Sequence, residues 1–334
     1  MKKLIILCCF IISSAVSSQN TMSVSSPDGN LVVNVLVKNG KPVYTITFKG
    51  GIVLEDSPLG LITNAGDFST NMIFENSSIA KVQEDYTQTK IKQSKVSYNA
   101  NTLNCSFINA QKQKIAILFQ VSNNNIAFRY ELPAWGDTKV CVITEETTGY
   151  KFPSTTTTFL SPMMQAMTGF ARTAPSYESG YEADAPLDKN KAADGYVFPG
   201  LFNLGNKAWV LLSETGVSSL YTASHLSGYK DGLYTVEYPN PKQNNGFGSS
   251  GAQISLPGVT PWRTITVGEN LKPIVETTIP YDVVKPLYKP SQDYKMGRGS
   301  WSWIVWQDNS MNYEDQVKYI DLAASMNFEY ILID

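Results

Sequence analysis

Carboxylates must carry any acid–base chemistry here, because the single histidine, His225, excludes multi-histidine metal sites and leaves one position for a Ser-His or Cys-His pair. His225 stands beside Ser224, Leu226 and Ser227 in a strand-like stretch, the setting of a hydrogen-bonded structural histidine. Four acids, Glu178, Glu182, Asp184 and Asp188, share one polar loop. Calcium takes oxygen ligands from such side chains, although the spacing is not that of an EF-hand and a solvated acidic loop has the same composition. Three indoles, Trp301, Trp303 and Trp306, cluster near the end of the chain, and Asp334 closes it. Gly297-Arg298-Gly299 lacks the lysine and helix of a phosphate loop.

Elements large enough to position these groups are available: 334 residues, 43% hydrophobic, suffice for a sizeable core and two domains. With 27 basic residues against 29 acidic ones, no basic surface is offered to a polyphosphate backbone, so nucleic acid is not an expected partner. Aromatics at 11%, with 23 Gly and 17 Pro, suit strands and turns better than helical bundles.

Residues 1–18 read as a secretory signal, with Lys2-Lys3, an apolar run at 4–12 and the small residues Val16-Ser17-Ser18 before Gln19. The apolar run is too short to cross roughly 30 Å of hydrocarbon, so no membrane span is expected once the signal is removed. Cys8 and Cys9 lie too near the start for a lipoprotein cleavage box. The mature chain keeps only Cys105 and Cys141, free either to pair in an oxidising compartment or to remain buried thiols.

From residue 21 to about 280 the pattern is strand after strand. Residues 31–37, the turn Asn39-Gly40 and the alternating 43–48 predict a hairpin closed by positive-φ residues. Further strands are predicted at 103–107, 115–121, 126–132, 208–213 and 234–238. Together they make the chain mainly β, a large antiparallel β-sandwich. Polar stretches at 163–190 and 239–251 read as long loops, and Pro286 and Pro290 mark a linker. The divisions are a sandwich at 19–284, a linker at 285–297 and a second domain from 298.

In that second domain the texture changes. Residues 301–306 read as a β-prone run, Asn312 caps a helix with Tyr313, Val317, Ile320 and Ala324 along one face, and 328–333 form a second apolar strand. Strand, helix, strand is a βαβ unit that needs further parallel neighbours, so the sequence is expected to stop inside its second domain.

The run from Gly297 to Trp303, then Asn312-Tyr313, the helix, and Tyr330-Ile331-Leu332-Ile333-Asp334 resemble the opening of the catalytic (β/α)8 barrel of glycoside hydrolase family 97. Ser26-Pro27-Asp28-Gly29 and Tyr177-Glu178-Ser179-Gly180-Tyr181 resemble that family's amino-terminal domain, a galactose-mutarotase-like super-sandwich. The resemblance implies an exported, periplasmic, calcium-dependent glycosidase acting on terminal α-galactosides or α-glucosides. Ser300-Trp301-Ser302-Trp303 and the terminal Asp334 look more like the retaining α-galactosidase branch than the inverting α-glucosidase branch. The acid and nucleophile would belong to later barrel strands, so no catalytic residue is expected within this chain and the chain alone is expected to be inactive.

On that resemblance, Trp303 and Asp334 end the first two barrel strands on the face where barrel enzymes build their sites. Trp303 would stack on a sugar ring, with Trp301 a second candidate for substrate binding, and Asp334 would accept two sugar hydroxyls. Glu178 would reach toward the barrel as a calcium ligand. The competing reading is a self-sufficient carbohydrate-binding β-sandwich with a short extension. A binding module has no need of a capped helix between two strands at barrel spacing.

Overall fold

The computed structural model describes residues 21–89, 91–163, 180–189, 194–239 and 251–333. The chain divides into two compact units, Met1–Lys285 and Pro286–Asp334.

The first unit is a set of antiparallel sheets around one large apolar core, with a small satellite cluster at Ala127, Trp262 and Ile279. Strands Leu31–Lys38 and Lys41–Phe48 pair in register up to Lys38 opposite Lys41. Asn39 and Gly40 make the turn at φ of 50° and 75°, the left-handed conformation that Asn and Gly tolerate best. Flanked by Met22–Ser25 and Gly51–Pro58, this hairpin forms a four-stranded sheet. Opposite it lies a ten-stranded sheet, whose central members are Trp209–Thr215, Trp262–Gly268, Asn125–Leu132, Lys114–Val121 and Lys95–Ile108, and whose outer strand is Ile73–Thr87. Alternate residues of these strands, such as Ile115, Ile117, Phe119 and Val121, point inward and are buried. The two layers meet where Tyr44 of the smaller sheet packs on Phe119 and Phe128 of the larger, at centroid distances of 6.3 and 5.6 Å.

Cys105 and Cys141 are both buried and free. Burial pushes the Cys105 thiol up to about 12 and the Cys141 thiol up to about 11, so both behave as small apolar groups. Among the described residues no helix is long and apolar enough to cross a membrane.

The second unit is built on a parallel pair, Gly299–Trp301 with Tyr330–Leu332, joined by helix Tyr313–Ser325. Asn312 caps the helix, its Oδ1 accepting from the Asp315 N–H at 2.9 Å. One sequence expectation is corrected here. Residues 301–306 are not a strand: it ends at Trp301, Trp303–Trp306 is a helical turn, and Gln307–Ser310 is a 3-10 turn. The intrinsic β preference of the run is overridden by Ser302, whose backbone is helical and whose carbonyl accepts from the N–H groups of Val305 and Trp306. The helix face of Tyr313, Val317, Ile320 and Ala324 is poorly covered, with Tyr313 79% and Ile320 44% exposed, and the buried residues of the helix are Gln316, Tyr319 and Ala323. The face turned to the strands is fixed by polar bonds as well as apolar spacing, since Ser300 Oγ donates to the Tyr319 carbonyl at 3.0 Å.

Candidate functional site

The run Ser300-Trp301-Ser302-Trp303, which passes from strand into helical turn, separates two kinds of work. The serines turn toward the helix. Ser302 is fully buried, and its Oγ accepts from Gln316 Nε2 at 2.7 Å and from Ser310 Oγ at 2.9 Å. Gln316 Nε2 also donates to the Ser310 carbonyl, so strand, 3-10 turn and helix are tied at one point. The tryptophans project the other way and stack, with ring centroids 5.5 Å apart and planes 19° apart. Trp303 Nε1 donates to Asp308 Oδ1 at 2.8 Å, which holds its ring flat against Trp301. Trp301 Nε1 is buried with no hydrogen-bond partner, a donor left over at the carboxyl end of the strand.

Trp301 pairs in register with Leu332, so the carboxyl ends of the two parallel strands lie side by side. Trp303 does not end the first strand, as the sequence reading had it, but opens the helical turn two residues beyond. Asp334 lies outside the described residues. Trp306 sits with its ring edge-on to Tyr319 at 4.9 Å, a packing position on the helix.

Glu178 also lies outside the described residues. Its acidic neighbours are committed elsewhere: Glu182 pairs with Lys189, and Asp184 accepts from Thr157 Oγ1 at 2.8 Å and from Asn203 Nδ2 at 3.2 Å. Among the described residues no group of three or more metal-ligating side chains gathers, so the described acids of this loop do not by themselves make a calcium cluster. His225 is buried in a two-residue strand, its Nε2 3.5 Å from Glu237 Oε2, a structural placement.

The most concentrated electrostatics of the first unit escaped the sequence reading. Arg263, on the wholly buried strand Trp262–Gly268, donates to both carboxylate oxygens of Glu146 and to Glu214, and its Nη1 donates to Ser224 Oγ at 2.8 Å. Ser224 in turn donates through N and Oγ to Glu214, at 2.9 and 2.7 Å. Burial works against the guanidinium charge, but the two carboxylates outweigh it and hold Arg263 protonated. The network ties together three segments far apart in sequence. One charge inside a strand of otherwise uncharged residues was the available signal; its partners were not readable.

Comparison with known proteins decides the affiliation. The sequence profile described as Glycosyl-hydrolase 97 N-terminal matches residues 24–286. The chain belongs to the glycosyl-hydrolase 97 family. Within the family, this chain is 24% identical to the retaining alpha-galactosidase of Bacteroides thetaiotaomicron, over all of its own length and 53% of that protein. It is 52% identical to a beta-arabinopyranosidase of known crystal structure, with a TM-score of 0.89 over 94% of this chain and 50% of that one. A glycoside hydrolase family 97 enzyme from Pseudoalteromonas sp. strain K8, solved with acarbose, shares the fold at 23% identity and a TM-score of 0.79, over 94% of this chain and 47% of that one. The chain thus spans about half the length of the family 97 relatives it matches.

Proposed function

We propose that the chain supplies the sandwich and the first strand–helix–strand unit of the catalytic (β/α)8 barrel in an exported, periplasmic glycosidase that removes terminal α-galactosyl units with retention. The observation that carries this reading is family membership together with the likeness to a retaining alpha-galactosidase over the whole chain. The acid and nucleophile lie beyond residue 334, about 5 Å apart as retention requires. The Trp301–Trp303 stack at the carboxyl end of the parallel strands is the aromatic wall on which a sugar ring rests, and the Asp334 carboxylate would accept two sugar hydroxyls through charge-assisted bonds. Calcium is the cofactor of this reading, with Glu178 as one candidate ligand.

A second substrate is favoured by the 52% identity to a beta-arabinopyranosidase. A β-L-arabinopyranoside has the ring configuration and anomeric geometry of an α-D-galactoside and lacks only its hydroxymethyl group. One site can therefore admit both, and the room left around that group sets the preference. An α-glucoside differs at carbon 4, where a site built to bond the axial hydroxyl would lose that bond.

The test compares kcat/KM of the longer protein that contains this chain on aryl α-D-galactoside, β-L-arabinopyranoside and α-D-glucoside. The first two should exceed the third by about a hundredfold or more. A preference for the glucoside would replace this reading with the inverting α-glucosidase, and no hydrolysis of any of the three would leave a carbohydrate-binding sandwich. Residues 19–334 alone should turn over none of them.

A further inference from the structure

The strand Ile73–Thr87 ends the ten-stranded sheet and pairs with Lys95–Ile108 alone. At 15 residues it is the longest strand among the described residues, none of which pairs with its outer edge, so that edge is a template for another strand. The side chains determine which strand fits. Beyond Ala80 the even positions Val82, Glu84 and Tyr86 turn partly inward, where Glu84 pairs with Lys285 and the Tyr86 hydroxyl donates to Asp282 at 2.6 Å. The odd positions Lys81, Gln83 and Asp85 face solvent. Neither Lys81 nor Asp85 has an ion-pair partner among the described residues.

Lys81 and Asp85 stand symmetrically about Gln83. A two-fold axis perpendicular to the sheet at Gln83 would set two copies of the strand antiparallel, with Gln83 opposite Gln83 and Lys81 opposite Asp85 of the second copy, twice. Ile79, which is 66% exposed, would then meet Thr87 of the second copy. Axes at Lys81, Glu84 or Asp85 would instead place like charges face to face. An axis at Ser78 would bring Glu75 opposite Lys81, but Glu75 lies in the bulge after Phe74 and is paired with Lys114. The register at Gln83 is the one that satisfies both charges.

We propose that this edge is a homodimer interface, in which two copies of the protein continue one another's sheet through antiparallel pairing of residues 79–87 about Gln83. This goes beyond the glycosidase reading and stands or falls separately from it. The test is sedimentation velocity of the purified protein over a concentration series at low salt. The wild type should dimerise, and Lys81→Asp and Asp85→Lys should each weaken dimerisation by about tenfold or more through like-charge opposition. The double swap, and an equimolar mixture of the two single variants, should both recover it, since each restores opposite charges at the two facing pairs. Unchanged melting of the single variants would show that the loss is not misfolding. A wild type that stays monomeric at about 100 µM, or a dimer indifferent to the single swaps, overturns the proposal.

Discussion

Arg263 and Glu146 meet in a two-pronged ion pair, Nε to Oε1 at 2.9 Å and Nη2 to Oε2 at 2.6 Å, with both side chains 0% exposed. Removing one partner of such a pair leaves an uncompensated charge where water cannot reach it. Arg263→Met, which strands two carboxylates, should lower stability by about 3–5 kcal/mol in urea denaturation at neutral pH. Glu146 and Glu214 lie on separate segments, so the loss should be felt across the whole first unit as one cooperative transition. A change below about 1 kcal/mol would mean that the cluster is dispensable.

Asp67 predicts a stability change with pH. Burial raises its pKa, but its Oδ1 accepts from the N–H and Oγ of Ser69 and its Oδ2 from Thr70 Oγ1, and these bonds hold the carboxyl below the usual range. A depressed folded pKa means stability that is present above the unfolded value near 3.9 and is lost as pH falls through the lower folded value. Asp67→Ala should therefore melt below the wild type at pH 6, and the gap should narrow as the pH is taken from about 4 toward 2. A gap independent of pH would assign the effect to packing alone.

How much was legible in the sequence depended on whether burial left a period. The hairpin around Asn39-Gly40, the strand at 115–121 and the second half of 126–132 alternate because one face packs on the core, and these strands match the sequence reading. The long outer strand Ile73–Thr87 was missed because its first half is exposed on both faces and shows no alternation. The tryptophan run was misread because a buried serine and a glutamine 14 positions away decide its backbone. The partners of Arg263 lie 117 and 49 positions away, a relationship no local pattern contains.

Glu178 carries the calcium proposal. In the longer enzyme Glu178→Gln keeps the side chain's shape and removes its charge, so calcium affinity and activity should fall together. Full activity with an unchanged calcium titration would remove Glu178 from the metal site.

The sugar wall makes a kinetic prediction. Asp334→Ala should cost roughly 2–4 kcal/mol in kcat/KM, the scale of a charged hydrogen bond and its unpaired partner. Trp303→Ala should cost a comparable amount, because Trp303 is held flat on Trp301 by Asp308 and offers a fixed face. Both variants should melt within a few degrees of the wild type, and if the two side chains touch one sugar, as proposed, their double mutant should depart from additivity. A large loss of melting temperature with intact kinetics would make both residues structural.

The most direct test of the account follows the stereochemistry of the first turnover. The longer enzyme is mixed with an aryl α-D-galactoside and the anomeric proton of released galactose is followed by NMR from the earliest seconds. Two carboxylates about 5 Å apart and a covalent intermediate predict that α-galactose appears first and only later mutarotates. Release of β-galactose first, or cleavage confined to α-glucosides, would contradict the proposed retaining galactosidase.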